Sequence, residues 1–412
     1  MAKLKPFQGL RPAEAYTASI AALPYDVYNR EEAKEMTQLN PLSFLKIDRA
    51  ETQFPDAMDM YSQQVYERAR DTLQEMTDEG YFVRDESACY YLYALTMNGR
   101  TQTGIVGCAA VDDYLNGVIC RHENTREDKE LDRIRHVDTM NAQTGPIFLA
   151  YRASSELKSL TASIQNESPI ADFSAEDGIR HQVWKISEQE LIENISRLVG
   201  QMEHLYIADG HHRAASAVKV SLKRRAEYPD YDGTEEFNYF LSVLFPDDEL
   251  QILDYNRVVT GRNGHTTDSL LYAIDKYFTV EQLTDIPFHP KQKGEIGMYT
   301  DGTWYRLTVR PELHTIDPVK NLDVSILQER ILNPLLGIED PKSDSRIQFV
   351  GGIRGLKELM QLADKAPEGI AFAMYPTSMD ELLAVADAGL LMPPKSTWFE
   401  PKLRSGLFIH TL

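Results

Sequence analysis

A mixed α/β protein is what this sequence predicts. Strand-like and helix-like patterns alternate along the whole chain, which argues against an all-α or all-β core. Two strand-like runs flank Asn98-Gly99, a dipeptide that favours a tight hairpin. An apolar strand also stops at Asp209-Gly210 with a helix starting at once.

Taken in order, Ile20 to Pro24 form a short apolar run, and Asn29 with Glu32 makes a capping-box pattern that opens a helix. Val65, Ala69, Leu73 and Met76 fall on one face of a helix expected from Asp56 to Asp78 and ended by Gly80. Tyr90 to Met97 and Thr101 to Val111 read as the hairpin strands, and Val118 to Cys120 as a further strand after the Asn116-Gly117 turn. A very polar stretch follows from Arg121 to Asp138, and the Ser-rich segment from Ser154 to Asp177 reads as a connection. Strands at His181 to Ile186 and His204 to Ala208 bracket a helix, and a further helix runs to Glu227. Strands are then expected at Tyr239 to Phe245 and Gln251 to Leu253. The last third predicts a hairpin, Ile296 to Thr300 and Trp304 to Val309, around Asp301-Gly302. Strands at Ile347 to Val350 and Ile370 to Tyr375 and a helix from Met379 to Ala388 complete it. Two domains are expected, residues 1–265 and a smaller α/β unit over 266–412.

With 42% hydrophobic and 26% charged residues, the 412-residue chain has a globular composition. No apolar run approaches the ~20 residues that span a bilayer. The start, Met1 to Pro6, lacks the apolar region of a secretory signal, and Cys89, Cys108 and Cys120 are too scattered for a disulfide framework. A cytoplasmic location is therefore expected. A net charge of −20 opposes general binding to a phosphate backbone, so no DNA and no membrane partner are expected.

The sharpest chemical signal is Asp209-Gly210-His211-His212-Arg213. Asp209 reads as an N-cap, and Gly210 lets a ligand approach the backbone. The N–H groups of a helix's first turn favour an anion. Arg213 can fork onto phosphate oxygens, and a histidine can donate to them or move a proton near neutral pH. Arg121 to Arg126 place His122, Glu123 and Thr125 in one loop, where Glu123 can serve as a base and His122 and Thr125 can orient a phosphate. The alternative there is a salt-bridged helix start, since Glu127, Asp128, Lys129 and Glu130 follow; Arg133 and His136 carry weaker signals. A proline-rich loop near the end presents Lys395, Ser396 and Lys402, without the glycines of a Walker loop. Tyr25 and Asp26 follow Pro24 as candidate pocket residues, whereas Arg11 reads as part of a buried turn. Arg346 with Gly351-Gly352 is a weaker phosphate-loop candidate.

Several motifs in order resemble the uncharacterised bacterial and archaeal family called DUF1015. They are Lys5-Pro6-Phe7, Leu23-Pro24-Tyr25-Asp26-Val27, Asn40-Pro41, His122-Glu123-Asn124-Thr125, Ile207 to Arg213 and Met392 to Thr397. More distantly, the strand followed by Asp209 to Arg213 is similar to the phosphate motif of the ParB/sulfiredoxin-like superfamily, which includes kinases of free serine. That resemblance implies a core of this type with additional α/β elements. It further implies that Asp209 to Arg213 hold nucleotide phosphates, with a glutamate from another segment acting on the serine hydroxyl; Glu123 is assigned that part here.

The leading expectation is a nucleotide-dependent phosphotransferase acting on a small hydroxyl metabolite, free serine above others. ADP or ATP is the expected donor, and Mg²⁺, held by Asp209 and Glu123, the expected ion. Asp209, His211, His212 and Glu123 are the expected catalytic residues. Gly210, His212, Arg213, His122, Thr125, Lys395 and Ser396 are expected at the phosphates, and Tyr25 and Asp26 at the substrate. The alternatives are a phosphoserine or other phosphomonoester phosphatase using the same pocket, and a non-catalytic nucleotide-binding regulator.

Overall fold

The computed structural model of the chain describes residues 1–284 and 287–412 and resolves into two compact units. The first comprises Met1–Arg121, Thr125–Leu250 and Pro401–Leu412, and the second His122–Asn124 and Gln251–Glu400. The main division between the units falls after residue 250, and residues 401–412 belong to the first unit. There His410–Thr411 pairs with Ala142–Gln143, a two-residue strand too short to leave a periodic signal.

The first unit is built on a nine-stranded sheet. Its main members are β1 (Tyr90–Met97), β2 (Arg100–Ala110), β3 (Ile147–Tyr151), β4 (Arg180–Ile186), β5 (Leu205–Asp209) and β6 (Tyr239–Pro246). They lie in the order β5-β3-β6-β2-β1-β4, with Ile119–Cys120 beyond β5 and Ala171–Ser174 beyond β4. β3 runs parallel to β6 and Ile119–Cys120 parallel to β5, while the other neighbours are antiparallel. Every residue of β3 and β6 is buried, including Ser242 in β6, as in strands covered on both faces. The expected hairpin forms: Asn98 and Gly99 both take positive φ, 53° and 79°, as its two-residue turn requires.

Two helices flank the future site, α1 (Glu127–Met140) and α2 (His211–Glu227). Lys223 and Arg224 of α2 reach Asp138 of α1 at 2.5 and 3.3 Å, and Ser216 Oγ donates to the Glu130 carbonyl at 3.2 Å.

Three expectations are corrected. The helix expected from Asp56 begins only at Gln63, because the Asp59 side chain accepts from Tyr61 N at 3.0 Å and turns the chain first. The stretch from Ser154 to Asp177 is no bare connection: Ser154 caps a helix, Ser155–Ile164, that buries Leu157 and Ile164, and Ala171–Ser174 joins the sheet. Asp209 is the last residue of β5, and Gly210, at φ 92°, is the N-cap of α2.

A buried imidazole gives this unit a pH signature. His181 on β4 is fully buried, stacked against Phe173 and Tyr93, and accepts at Nε2 from Arg404 Nε at 3.2 Å. Burial, reinforced by the Arg404 guanidinium, pushes its pKa down to about 3. The unfolded chain takes up this proton near pH 6.5, so stability is intact above that pH and is lost as pH falls towards 3. Each tenfold rise in proton activity across that window removes about 1.4 kcal/mol, so the full loss reaches a few kcal/mol. Thermal midpoints measured between pH 8 and 4 are expected to drop below pH 6.5, and less steeply in His181→Asn; equal slopes would contradict this.

The second unit carries a six-stranded sheet whose neighbours all run antiparallel. Its order is Phe278–Leu283, Thr303–Val309, Glu295–Thr300, Ile370–Met374, Tyr255–Val259 and Ile347–Gly351. Trp304, Val258, Val350 and Ala371 form its core with Leu359 and Ala363 from the helix Gly355–Lys365. The Asp301-Gly302 hairpin forms with both residues at positive φ, 48° and 74°. Ser378 and Glu381 box the start of the helix Met379–Asp387, and Gly389 ends it at φ 65°. Among the described residues, no helix is long and apolar enough to cross a membrane.

Candidate functional site

The apolar strand β5 delivers its last residue, Asp209, to the edge of the first unit's core. A register shift between Ile207 and Asp209 in the β3–β5 pairing turns the strand end. Gly210 then reverses the chain in the left-handed region, and α2 starts at His211. Within α2 the helix supplies carbonyl acceptors only from Ala214 onward, whose N–H meets the Gly210 carbonyl at 2.9 Å. The first turn thus directs partial positive charge towards the strand end.

Two cations frame this turn. Lys402 Nζ lies 3.0 Å from Asp209 Oδ2, and Arg213 lies 4.0 Å from the same oxygen. Gly210 N donates to Asp209 Oδ1 at 2.8 Å. Burial alone would raise the Asp209 carboxyl, but Lys402, Arg213 and the Gly210 N–H outweigh it and hold it far below the usual carboxylate range. Asp209 is therefore a poor proton acceptor near neutral pH. Nor does it fit as a ligand for Mg²⁺, since both oxygens already receive donors and one of these is a lysine cation. Among the described residues, no group of three or more His, Cys, Asp or Glu side chains forms a metal cluster.

Arg213 lies across two glycines. A Cβ at Gly210 would sit 3.0 Å from its Nε and NH2, and one at Gly145 would sit 3.3 Å from its NH1. NH1 donates to the Pro146 carbonyl at 2.8 Å. One edge of the guanidinium therefore faces the Asp209-Gly210 turn and the other a small cavity of about 30 Å³ with mixed polar and apolar walls. Tyr25, Asp48, Arg133, His136 and Thr144 line that cavity together with Arg213 and Ser405. Thr144 Oγ1 donates to Asp48 Oδ1 at 2.9 Å. The Arg133 guanidinium stacks 4.0 Å over the Tyr25 ring and pairs with Asp132 at 2.8 Å. Burial pushes the Tyr25 hydroxyl up to about 12, so it stays a donor, and burial with Arg133 pushes His136 down to about 4, so it stays neutral.

The other expected residues sort differently. His211 is buried in the first turn of α2. His212 Nε2 accepts from Arg126 N at 3.0 Å, which ties α2 to the start of α1 and makes Nε2 the unprotonated nitrogen. Thr125 donates to the side chain of Glu130, which also pairs with Lys219, so its hydroxyl is held against the first turn of α1. Asp26 is exposed, beside the cavity-lining Tyr25.

His122 and Glu123 fall in the second unit. There the His122 carbonyl accepts from Met392 N at 2.8 Å, and its ring lies 3.5 Å from Thr397 Oγ1. Two segments singled out in the sequence thus meet within that unit. Ser396 is buried and donates to the Pro393 carbonyl at 2.6 Å, so it holds the loop. The Lys395 carbonyl accepts from Arg257 at 3.0 Å, and Lys395 Nζ lies 5.7 Å from the Tyr255 ring centre. Arg346 clamps its own loop through Asp344 and the Leu336 and Gly337 carbonyls, and Arg11 pairs with the buried Asp85.

Sequence reasoning ranked Arg133 and His136 low and passed over Asp48, Thr144 and Ser405. Their signal was available in part: Glu130, Arg133, His136 and Met140 are the buried face of α1, a helical stripe hidden by its own polarity.

Fold and site together describe a two-unit α/β protein with a strand–glycine–helix turn flanked by cations. The chain belongs to the family described as protein of unknown function, DUF1015, whose model matches residues 4–325. No curated protein matches it. Among solved structures, SbnI with C-terminal truncation from Staphylococcus aureus aligns at 13% identity over 72% of this chain and 82% of its own, with a TM-score of 0.37. A mutant free serine kinase in complex with ADP aligns at 12% identity over 72% and 87%, with a TM-score of 0.33. A conserved hypothetical protein from Pyrococcus furiosus aligns at 13% identity over 73% and 93%, with a TM-score of 0.32.

Proposed function

We propose that the chain transfers a phosphoryl group from a nucleoside di- or triphosphate to a small hydroxyl compound, free serine being the acceptor of choice. The observation that carries this reading is the position of Arg213, which spans from the Asp209-Gly210 turn to the small cavity. A single forked cation at both places can neutralise the transferred group while it passes from donor to acceptor.

In this reading the polyphosphate lies at the start of α2, where Gly210 admits its oxygens to the backbone and Lys402 and Arg213 balance its charge. Asp209 keeps the two cations in place until the ligand arrives. The acceptor oxygen forms a bond to the terminal phosphorus, and the P–O bond to the rest of the nucleotide breaks with its electron pair. The hydroxyl proton passes to Asp48, the carboxylate lining the cavity. Residues of the first unit carry this reading by themselves; Glu123 is not needed for it.

The test is a thermal-shift screen of ADP, ATP, CTP, serine and phosphoserine, with and without Mg²⁺, followed by ³¹P detection of phosphoserine from serine and the stabilising nucleotide. A nucleotide at ~100 times its dissociation constant should add about 2.7 kcal/mol of stability. Stabilisation by phosphoserine alone, with phosphate release and no nucleotide requirement, would replace transfer by hydrolysis of a phosphomonoester at the same turn.

A further inference from the structure

We infer that Thr144 is a positioning residue that orients Asp48, and that the stretch carrying it, Gln143–Pro146, sets the proton acceptor and the forked cation in register. This rests on the phosphotransferase reading and adds to it the residue through which Asp48 is aimed. Asp48 is the buried last residue of a four-residue helix, Leu45–Asp48, so its own element does little to fix its side chain. One hydrogen bond does so instead, from Thr144 Oγ1 to Asp48 Oδ1 at 2.9 Å. Thr144 is itself buried, and a hydroxyl has a single proton to donate. Directed at Oδ1, that proton fixes the rotation of the carboxyl group. Oδ2 receives no side-chain donor among the described residues and is the oxygen left to accept a proton. A base oriented by a third group is the general arrangement for taking a proton from a hydroxyl.

Thr144 is held as firmly as it holds. Gln143 is tied to strand β6 twice: its Oε1 accepts from Leu241 N at 2.6 Å, and its Nε2 donates to the Tyr239 carbonyl at 3.3 Å. The Thr144 carbonyl accepts from Gly406 N at 3.1 Å. Gly145 leaves room for two neighbours, since a Cβ there would stand 3.2 Å from Ser405 Oγ and 3.3 Å from Arg213 NH1. Pro146, whose ring fixes φ, offers its carbonyl to Arg213 NH1 at 2.8 Å. Four consecutive residues thus connect the sheet, Asp48 and Arg213. In phosphoryl transfer the acceptor oxygen loses its proton while charge on the phosphoryl group is met, so catalysis depends on how these two groups are placed. A misplacement of ~1 Å in such a site can cost about 10²-fold.

The experiment is a double-mutant cycle in the full-length protein, read by transfer from radiolabelled ATP to serine beside thermal midpoints. Its variants are Thr144→Val, Thr144→Ser, Asp48→Asn and the pair Thr144→Val with Asp48→Asn. Valine keeps the shape of threonine and loses the hydroxyl. It is expected to lower kcat by about tenfold or more and to leave KM for ATP within about twofold. Serine returns the hydroxyl and is expected to keep kcat within about threefold of wild type. Asp48→Asn is expected to cost about 10²–10⁴-fold. On that background Thr144→Val is expected to change kcat by less than about twofold, because Thr144 acts through Asp48. Thr144→Ala repeats the loss of the hydroxyl if thermal midpoints show that valine disturbs the fold.

Losses that multiply in the double variant would overturn the inference, as a purely structural threonine gives independent effects. So would Thr144→Ser as slow as Thr144→Val, or an unchanged kcat in Thr144→Val. Wild-type turnover in Asp48→Asn sinks the inference together with the part given to Asp48, and leaves transfer at Arg213 standing. No transfer by the wild-type protein overturns the phosphotransferase reading, and this inference with it.

Discussion

Arg213→Met is expected to lower kcat/KM for phosphoryl transfer from ATP to serine by about 10²–10³-fold, the cost of removing one preorganised donor to transition-state charge. The methionine keeps the length and apolar stem of the side chain and loses its fork. The fold should survive, because this guanidinium is tied down by one bond to the Pro146 carbonyl at 2.8 Å and a loose pair with Asp209 at 4.0 Å. A lost hydrogen bond of that kind costs about 1 kcal/mol. Steady-state kinetics with ATP and serine, read beside thermal midpoints, checks both halves. Turnover within about threefold of wild type would remove Arg213 from the chemistry, since that is under 1 kcal/mol.

Gly210→Ala is expected to damage binding through the backbone. At φ 92° an added Cβ meets steric strain of about 1–2 kcal/mol in its own residue. The same Cβ lies 3.0 Å from Arg213 Nε and NH2, so the guanidinium must shift. The thermal midpoint should fall by a few degrees, and ADP affinity by about tenfold or more. Gly80→Ala is the matched control, with φ 82° and nothing within 4 Å of the added Cβ. It carries the backbone strain alone and should leave ADP affinity unchanged. Equal ADP affinity in both variants would mean that the Gly210 turn does not touch the ligand.

Much of this fold was legible because its signals are local. The Asn98-Gly99 and Asp301-Gly302 hairpins, the Asn29 and Ser378 capping boxes and the buried run of β6 each declare themselves within a few residues. The Asp209 to Arg213 turn was legible for the same reason. The cavity beside it was not, because it assembles Tyr25, Asp48, Arg133, Thr144 and Ser405 from five separate stretches. No one of them looks unusual alone, and α1 conceals its buried face among charges, with Glu130, Arg133 and His136 inside. The return of residues 401–412 to the first unit leaves no local signal, because it runs through a two-residue strand. Asp209 was assigned the cap by propensity, but the left-handed Gly210 takes that place and frees the carboxylate for Lys402.

The central claim is that nucleotide phosphates sit at the start of α2. The most direct measurement is an amide-resolved NMR titration of the full-length protein with ADP. The backbone N–H resonances of His211, His212 and Arg213 are expected to shift first and furthest, moving downfield as they donate to phosphate oxygens. Saturable ADP binding that leaves these three amides unmoved would contradict the claim and place the nucleotide elsewhere.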